Sequence, residues 1–318
     1  MINTGKLKTA AVLAAIAIAA AINVSEACAA AKIAFVRRSG DDSWVFTANA
    51  DGSCLKRITR GLEPDISPDG SRVACVVSDA GSCSLRLAIF SLTDGKMTVI
   101  RGAAGSDVFT PRWSHRGTKL VFNSFSPKGS WRPSVCDLIN GSCLTLKPHG
   151  SNAEGYVPCW TRSDSEICAR DSVNMYFFDP LNGRQMGKRS FAHLFAKNSL
   201  YLSSSAGFNA SFDGRRWMFC CEDGKSFCPK CASYAASGRR GIICLYSPAA
   251  GRLVKIPLKW LCVIDAVWLN DSEVIFSAHR PSERPDPRLT GSDIYKMDLR
   301  SIKPVLLLKN GCCVSVSR

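Results

Sequence analysis

Short apolar runs alternate with clusters of turn residues along most of the chain, a strand rhythm rather than a helical one. The clearest unit is PDISPDGSRVACVV, residues 64–77. In it Pro68, Asp69, Gly70 and Ser71 carry turn chemistry. Proline fixes φ, aspartate bonds its own backbone, and glycine takes positive φ. Val73, Ala74, Val76 and Val77 then read as a strand. The pattern returns at 111–123, 158–170, 208–220 and, one residue shorter at the turn, 266–278. Ser67, Ser114, Thr161 and Ser211 stand 47, 47 and 50 residues apart. A strand-bearing period of that size predicts a ring of four-stranded blades.

The apolar run KIAFV (32–36) matches the second strand of the repeat, so blade one starts without its innermost strand. Trp44–Asn49 and Leu55–Thr59 are its next two, joined at Asp51-Gly52. Blade two has strands near 64–67, 72–77, 85–91 and 97–100. Blade three spans Pro111–Lys147, and blade four Pro158–Lys188. Blade five spans Phe208–Pro257 with an insertion at about 222–240, and blade six Ala266–Leu308 with one at 280–291. The tail Cys312–Ser317 belongs to no blade, and it fills the vacancy in blade one. The fold class is therefore all-β: a six-bladed β-propeller closed by pairing of the C-terminal strand with the N-terminal blade. Closure removes two exposed sheet edges. Trp113, Trp160, Trp217, Trp268 and Phe122 occupy repeated strand positions and are expected in the core.

Ser67-Pro68-Asp69-Gly70-Ser71-Arg72 resembles the TolB-type repeat, a WD-like propeller motif. Arg112-Trp113-Ser114-His115-Arg116-Gly117 and Ser211-Phe212-Asp213-Gly214 match well, and the copies at Ser163-Asp164 and Asn270-Asp271 are degenerate. The resemblance covers almost all of the chain beyond its first thirty residues. It implies a free-standing TolB-like propeller and, as a mode of action, a protein partner of the cell envelope held at one mouth of the central channel. Fold alone does not determine function.

The first thirty residues break the rhythm. Lys6 and Lys8 precede an apolar run from Ala10 to Ile22, and Ala27-Cys28-Ala29 offers small residues for cleavage. Residues 1–29 read as a secretory signal peptide and 30–318 as the single propeller domain. The expected address is periplasmic or secreted. The formal net charge is +15. Such a surface attracts anions: an acidic glycan, lipid headgroups, or an acidic protein. Nucleic acid fits the charge but not the compartment.

Catalytic sets are sparse. The chain has four histidines, no Gly-x-Ser-x-Gly elbow and no phosphate loop. His115 takes the turn position of Pro68 and reads as turn filler facing solvent. Propeller hydrolases of the peptidase type carry a separate catalytic domain, for which the blades leave no room. No cofactor is implied. Cysteine, 16 in all, is the unusual feature, and an exported chain uses it for disulfides. Cys159 and Cys168 are equidistant from the Ser163-Asp164 turn, and Cys75 and Cys83 flank a hairpin, so both pairs are disulfide candidates. The blade-five insertion concentrates thiols. There Cys221, Cys228, Cys231 and Cys244 form either a disulfide-stapled loop or a four-sulfur zinc site.

Loops entering the inner strands of such a ring line one mouth of the channel. The candidate partner-binding residues are Glu63, Asp65, Asp107, Arg112, Glu154, Tyr156, Asn209 and Asp265. Mixed charge around a rim suits a peptide or polar ligand. Two readings follow. One is a monomeric, exported, non-catalytic scaffold binding an envelope protein or peptide. The other is a binder of carbohydrate or acidic polymer, or a polysaccharide-degrading enzyme with its site in the channel.

Overall fold

The computed structural model describes residues 31–78, 84–100, 107–125, 129–147, 156–203, 206–227, 239–280 and 292–317. Residues 1–30, where the signal peptide is expected, lie outside them, as do Cys83, Glu154, Cys228 and Cys231. Blade one contributes β1 (Lys32–Ser39), β2 (Asp42–Asn49) and β3 (Lys56–Arg60). Blade two is β4 (Leu62–Ile66), β5 (Arg72–Ser78), β6 (Leu85–Ser91) and β7 (Met97–Val99). Blade three is β8 (Val108–Trp113), β9 (Lys119–Phe125), β10 (Trp131–Asp137) and β11 (Cys143–Thr145). Blade four is β12 (Tyr156–Trp160), β13 (Ile167–Arg170), β14 (Asn174–Phe178) and β15 (Gln185–Ser190). A short helix, α1 (Ala192–Asn198), leads to blade five: β16 (Leu200–Tyr201), β17 (Phe208–Ala210), β18 (Trp217–Phe227), β19 (Arg239–Ser247) and β20 (Arg252–Ile256). Blade six is β21 (Cys262–Trp268), β22 (Glu273–His279), β23 (Asp293–Asp298) and β24 (Val305–Leu308), and β25 (Cys312–Val316) ends the chain. Every pairing is antiparallel within its own blade, and β25 pairs with β1.

The repeated serine has a physical cause. Ser67, Ser114 and Ser211 are buried, and each hydroxyl accepts the amide five residues on, from Arg72, Lys119 and Arg216. Thr161 does the same for Glu166. Ser67 N–H donates to Arg72 O and Gly70 N–H to Ser67 O, and blades three, four and five repeat both bonds. The fourth turn residue needs positive φ, so glycine stands at 70, 117 and 214 with φ of 65°, 67° and 69°. In blade four Asp164 takes that conformation, at 56°.

The core lies between blades. Val76 and Leu87 of blade two pack with Trp113, Leu120 and Phe122 of blade three. Val121 and Val135 pack with Trp160, Tyr176 and Phe178 of blade four. Met218 and Ile243 of blade five pack with Trp268, Phe276 and Tyr295 of blade six. Trp113, Trp160, Trp268 and Phe122 are buried as expected, whereas Trp217 is only partly so. Blades five and six approach so closely that a Cβ on Gly241 would collide with the Val263 carbonyl. Overpacking of that kind costs about 1–3 kcal/mol.

Closure follows the expected route. Ile33 faces Val316, Ala34 faces Ser315 and Val36 faces Cys312. Lys32 N–H donates to Ser317 Oγ and Ser317 N–H to Lys32 O, both at 2.8 Å. The closing strand is also held from both flanks. Ile66 N–H of blade two donates to Ser315 Oγ at 3.1 Å, and Val314 N–H donates to Asp265 Oδ2 of blade six at 3.0 Å.

Two features differ from the expectation. The inner edge of blade five is split, with β17 and β16 both pairing with β18. This happens because β18 runs on through Glu222 and Asp223, which the sequence had assigned to the insertion. The stretch 191–202 matches no repeat, yet Phe191, Phe195 and Leu200 bury themselves against Phe208 and Phe219. A helical turn is the local solution, ended by Ser199 at φ 53°.

Candidate functional site

The inner strands share a distortion. Their registers slip between Leu62 and Asp65, Phe109 and Arg112, and Tyr156 and Cys159. Glu63, Thr110 and Val157 sit in the slips at φ of 48°, 51° and 46°, and Cys313 of β25 repeats it at 54°. Each such left-handed non-glycine residue costs about 1 kcal/mol. A bulge re-aims the side chains that follow it. Two residues on stand Asp65, Arg112, Cys159 and Ser315, all lining one central cavity of about 40 Å³. Asn209, Val267, His115 and Trp160 also line it. Room of that size holds about three waters.

Neighbouring blades are bonded around this cavity. The Trp113 indole N–H donates to Asp65 O at 2.9 Å, Trp160 to Arg112 O at 3.0 Å, and Trp268 to Asn209 O at 3.0 Å. Asn209 Nδ2 donates to Ala266 O at 3.1 Å. The acids join in. Asp65 Oδ2 accepts Trp113 N–H at 2.7 Å, and Glu63 Oε2 accepts Thr110 N–H at 2.5 Å. Asp265 accepts Val314 N–H, and its other oxygen accepts the amide and hydroxyl of Ser277. Asp265 keeps some accessible surface, yet protein encloses it closely. Burial pushes its carboxyl above the usual range, against the pull of Ser277 and Val314.

Of the eight rim residues read from the sequence, Asp65, Arg112 and Asn209 meet at the cavity. Glu63 and Asp265 act as clasps between inner strands rather than open rim groups. Asp107 binds the Leu85 amide at 2.9 Å and so ties the entry to blade three onto blade two. Tyr156 pairs with Arg170 at the start of β12, away from the cavity. Glu154 lies outside the described residues.

Sequence reasoning missed most of the lining, Cys159 and His115 among it. Cys159 stands 47 residues after Arg112, which itself stands 47 after Asp65, so the period already marked it. His115 is not solvent-facing filler. Its Nδ1 lies 2.7 Å from Asp164 Oδ1, and its side chain is 25% exposed. Asp164 also accepts the amides of His115 and Arg116, joining the turn of blade three to that of blade four.

The thiols sort as follows. Cys136 and Cys143, opposite each other across the Asn140-Gly141 hairpin, form a disulfide that spacing about that turn would have revealed. Cys159 and Cys168 are register partners, and both keep free thiols in contact with each other rather than a disulfide. Cys75 is buried with a free thiol, and burial pushes it up to about 12, while Cys83 lies outside the described residues. Cys221 and Cys244 lie with sulfurs 3.2 Å apart, and contact with Cys244 together with burial pushes the Cys221 thiol up. Among the described residues no group of three or more His, Cys, Asp or Glu is placed to hold a metal ion. Cys228 and Cys231 lie outside them. Among the described residues no helix is long and apolar enough to cross a membrane.

Six blades, serine-locked turns and a bonded inner ring define a TolB-like β-propeller. The solved structure of TolB from Acinetobacter baumannii superposes with a TM-score of 0.65 at 15% identity, over 90% of this chain. The chain spans 66% of that protein's length. A putative TolB from Agrobacterium tumefaciens gives 0.59 at 14% identity, covering 88% of this chain and 89% of its own. A puromycin hydrolase gives 0.54 at 16%, covering 89% of this chain and 44% of its own. No protein-family model and no curated protein matches the chain.

Proposed function

We propose that this chain is an exported, non-catalytic propeller scaffold that binds a protein or peptide partner of the cell envelope at a mouth of its channel. Residues 1–29 act as its signal peptide and the remainder as one propeller domain. One observation carries the reading: each described carboxylate of the predicted rim, Glu63, Asp65, Asp107 and Asp265, is engaged by a backbone amide of a neighbouring element. Groups held this way fix the ring, whereas acid–base catalysis needs a carboxyl within reach of substrate. A cavity this small has room for a few waters, which supports binding at the rim over a substrate held inside the channel. The partner then meets the rim around Arg112 and Asn209.

The test is site-specific photo-cross-linking from position 267, which lines the same cavity, in the native envelope, with Arg112→Glu as control. The Arg112 side chain donates to the carbonyl of its chain neighbour Pro111, a bond whose loss leaves the inter-blade clasps in place, so the reversal should fold. One protein adduct, lost with Arg112→Glu while thermal stability is kept, is expected. Adducts as strong from position 116 as from position 267, or none, would sink the reading.

A further inference from the structure

We propose that blade one carries a binding site for a phosphoryl group, on the flank formed by β1, β2 and β3 beside the Lys309-Asn310 exit of blade six. The site is independent of the channel reading. Its cavity measures about 410 Å³ and is lined by Arg37, Arg38, Arg57 and Lys309 over Trp44 and Phe46, with no Asp or Glu in the lining.

The cations have not been neutralised from within. Arg60, at the end of β3, takes Asp42 at 3.0 Å. Asp293 accepts the Asn310 amide at 3.1 Å. Among the described residues no carboxylate pairs with Arg37, Arg38, Arg57 or Lys309. Arg37 is the most telling member. Its Nε is buried without a hydrogen-bond partner, and burial lowers its guanidinium from the ordinary value. A buried donor left unpaired carries a desolvation penalty and calls for an acceptor.

The aromatic rings orient the guanidiniums. Arg57 lies 4.4 Å over the Trp44 ring, and Arg37 lies 5.4 Å from Phe35 and 5.1 Å from Phe46, two rings that stack on each other. Cation–π contact holds each planar group in place without consuming its N–H donors. Three guanidinium forks and an ammonium around one space match a tetrahedral dianion better than a planar carboxylate. The volume leaves room for the sugar or glycerol that carries the phosphate.

The experiment is thermal unfolding of the full chain in inorganic phosphate, with chloride at matched ionic strength as reference. A ligand that binds only the folded state raises Tm saturably. Saturation at millimolar phosphate is expected, with affinity falling roughly tenfold or more in Arg38→Gln/Arg57→Gln, two exposed positions, each protein being read against its own phosphate-free melt. Arg116→Gln, at the opposite end of the ring, should bind like the wild type. No saturable rise, or equal affinity in the double variant, would overturn the site. A hexose phosphate and phosphatidylcholine vesicles containing phosphatidic acid then separate the sources. Tighter binding of the first assigns a soluble sugar phosphate, and co-sedimentation lost in the double variant assigns a lipid headgroup.

Discussion

At the residue scale, Asp164 shows how one side chain can do two jobs. It stands where three other blades use glycine, and it spends that strained conformation on a clasp to the next turn. Burial raises its carboxyl, but the His115 ring and the amides of His115 and Arg116 outweigh this and hold it below the usual range. A lowered folded value means that the unfolded chain binds the proton first. The clasp therefore stabilises fully above the unfolded value of about 4 and fades as pH falls below it. Asp164→Asn tolerates the left-handed backbone and cannot carry the charge. It should lower stability by about 1–2 kcal/mol at pH 7, with the gap to the wild type closing below about pH 4. Urea midpoints at pH 7, 5 and 3 measure this, and a constant gap would refute it. Asp265 works with the opposite sign. Its raised carboxyl makes ionisation a cost at neutral pH, relieved on acidification through its folded value.

Elements are fixed by pairing within a blade and by packing between blades. The hairpin of β10 and β11 is the one bearing a described disulfide, Cys136–Cys143, seven residues apart. β11 has only three residues and sits at the outer edge of its sheet. Cross-linking so short a loop stabilises by about 2 kcal/mol through the unfolded chain. Cys136→Ser with Cys143→Ser should lose about that much in equilibrium urea unfolding, with folding kept. An unchanged midpoint would mean that packing of β10 already fixes the hairpin. The repeat was legible at this scale because its signals are local: serine bonds an amide five residues away, and glycine or aspartate supplies positive φ. The helix α1 and the split edge of blade five were not legible, because Phe191, Phe195 and Leu200 gain their burial from β17 and β18 rather than from any local pattern.

At the scale of the whole molecule, the last strand decides whether there is a ring. β25 gives blade one its inner strand and meets blades two and six through Ser315 and Val314. Ending the chain after Gly311 should expose β1 as an open edge, and open edges aggregate. Size-exclusion and urea unfolding should show association or a broad, early transition. A monomer with the full-length midpoint would contradict the closure argument.

The sequence by itself determined the blade count, the order of strands and the turn chemistry, because each rests on contacts a few residues apart repeated at a fixed period; the closing strand was legible by subtraction, as the one strand left over where one blade lacked one. Only the tertiary structure decided what the rim residues do. Glu63, Asp65 and Asp265 read as open charges along the chain and become inter-blade clasps in the ring, since their partners Thr110, Trp113 and Val314 lie nearly fifty residues away. Arg37, Arg57 and Lys309 were scattered basic positions until closure set the two ends of the chain around one space. A period announces an architecture, but which charges are neutralised is settled by neighbours that only folding brings together.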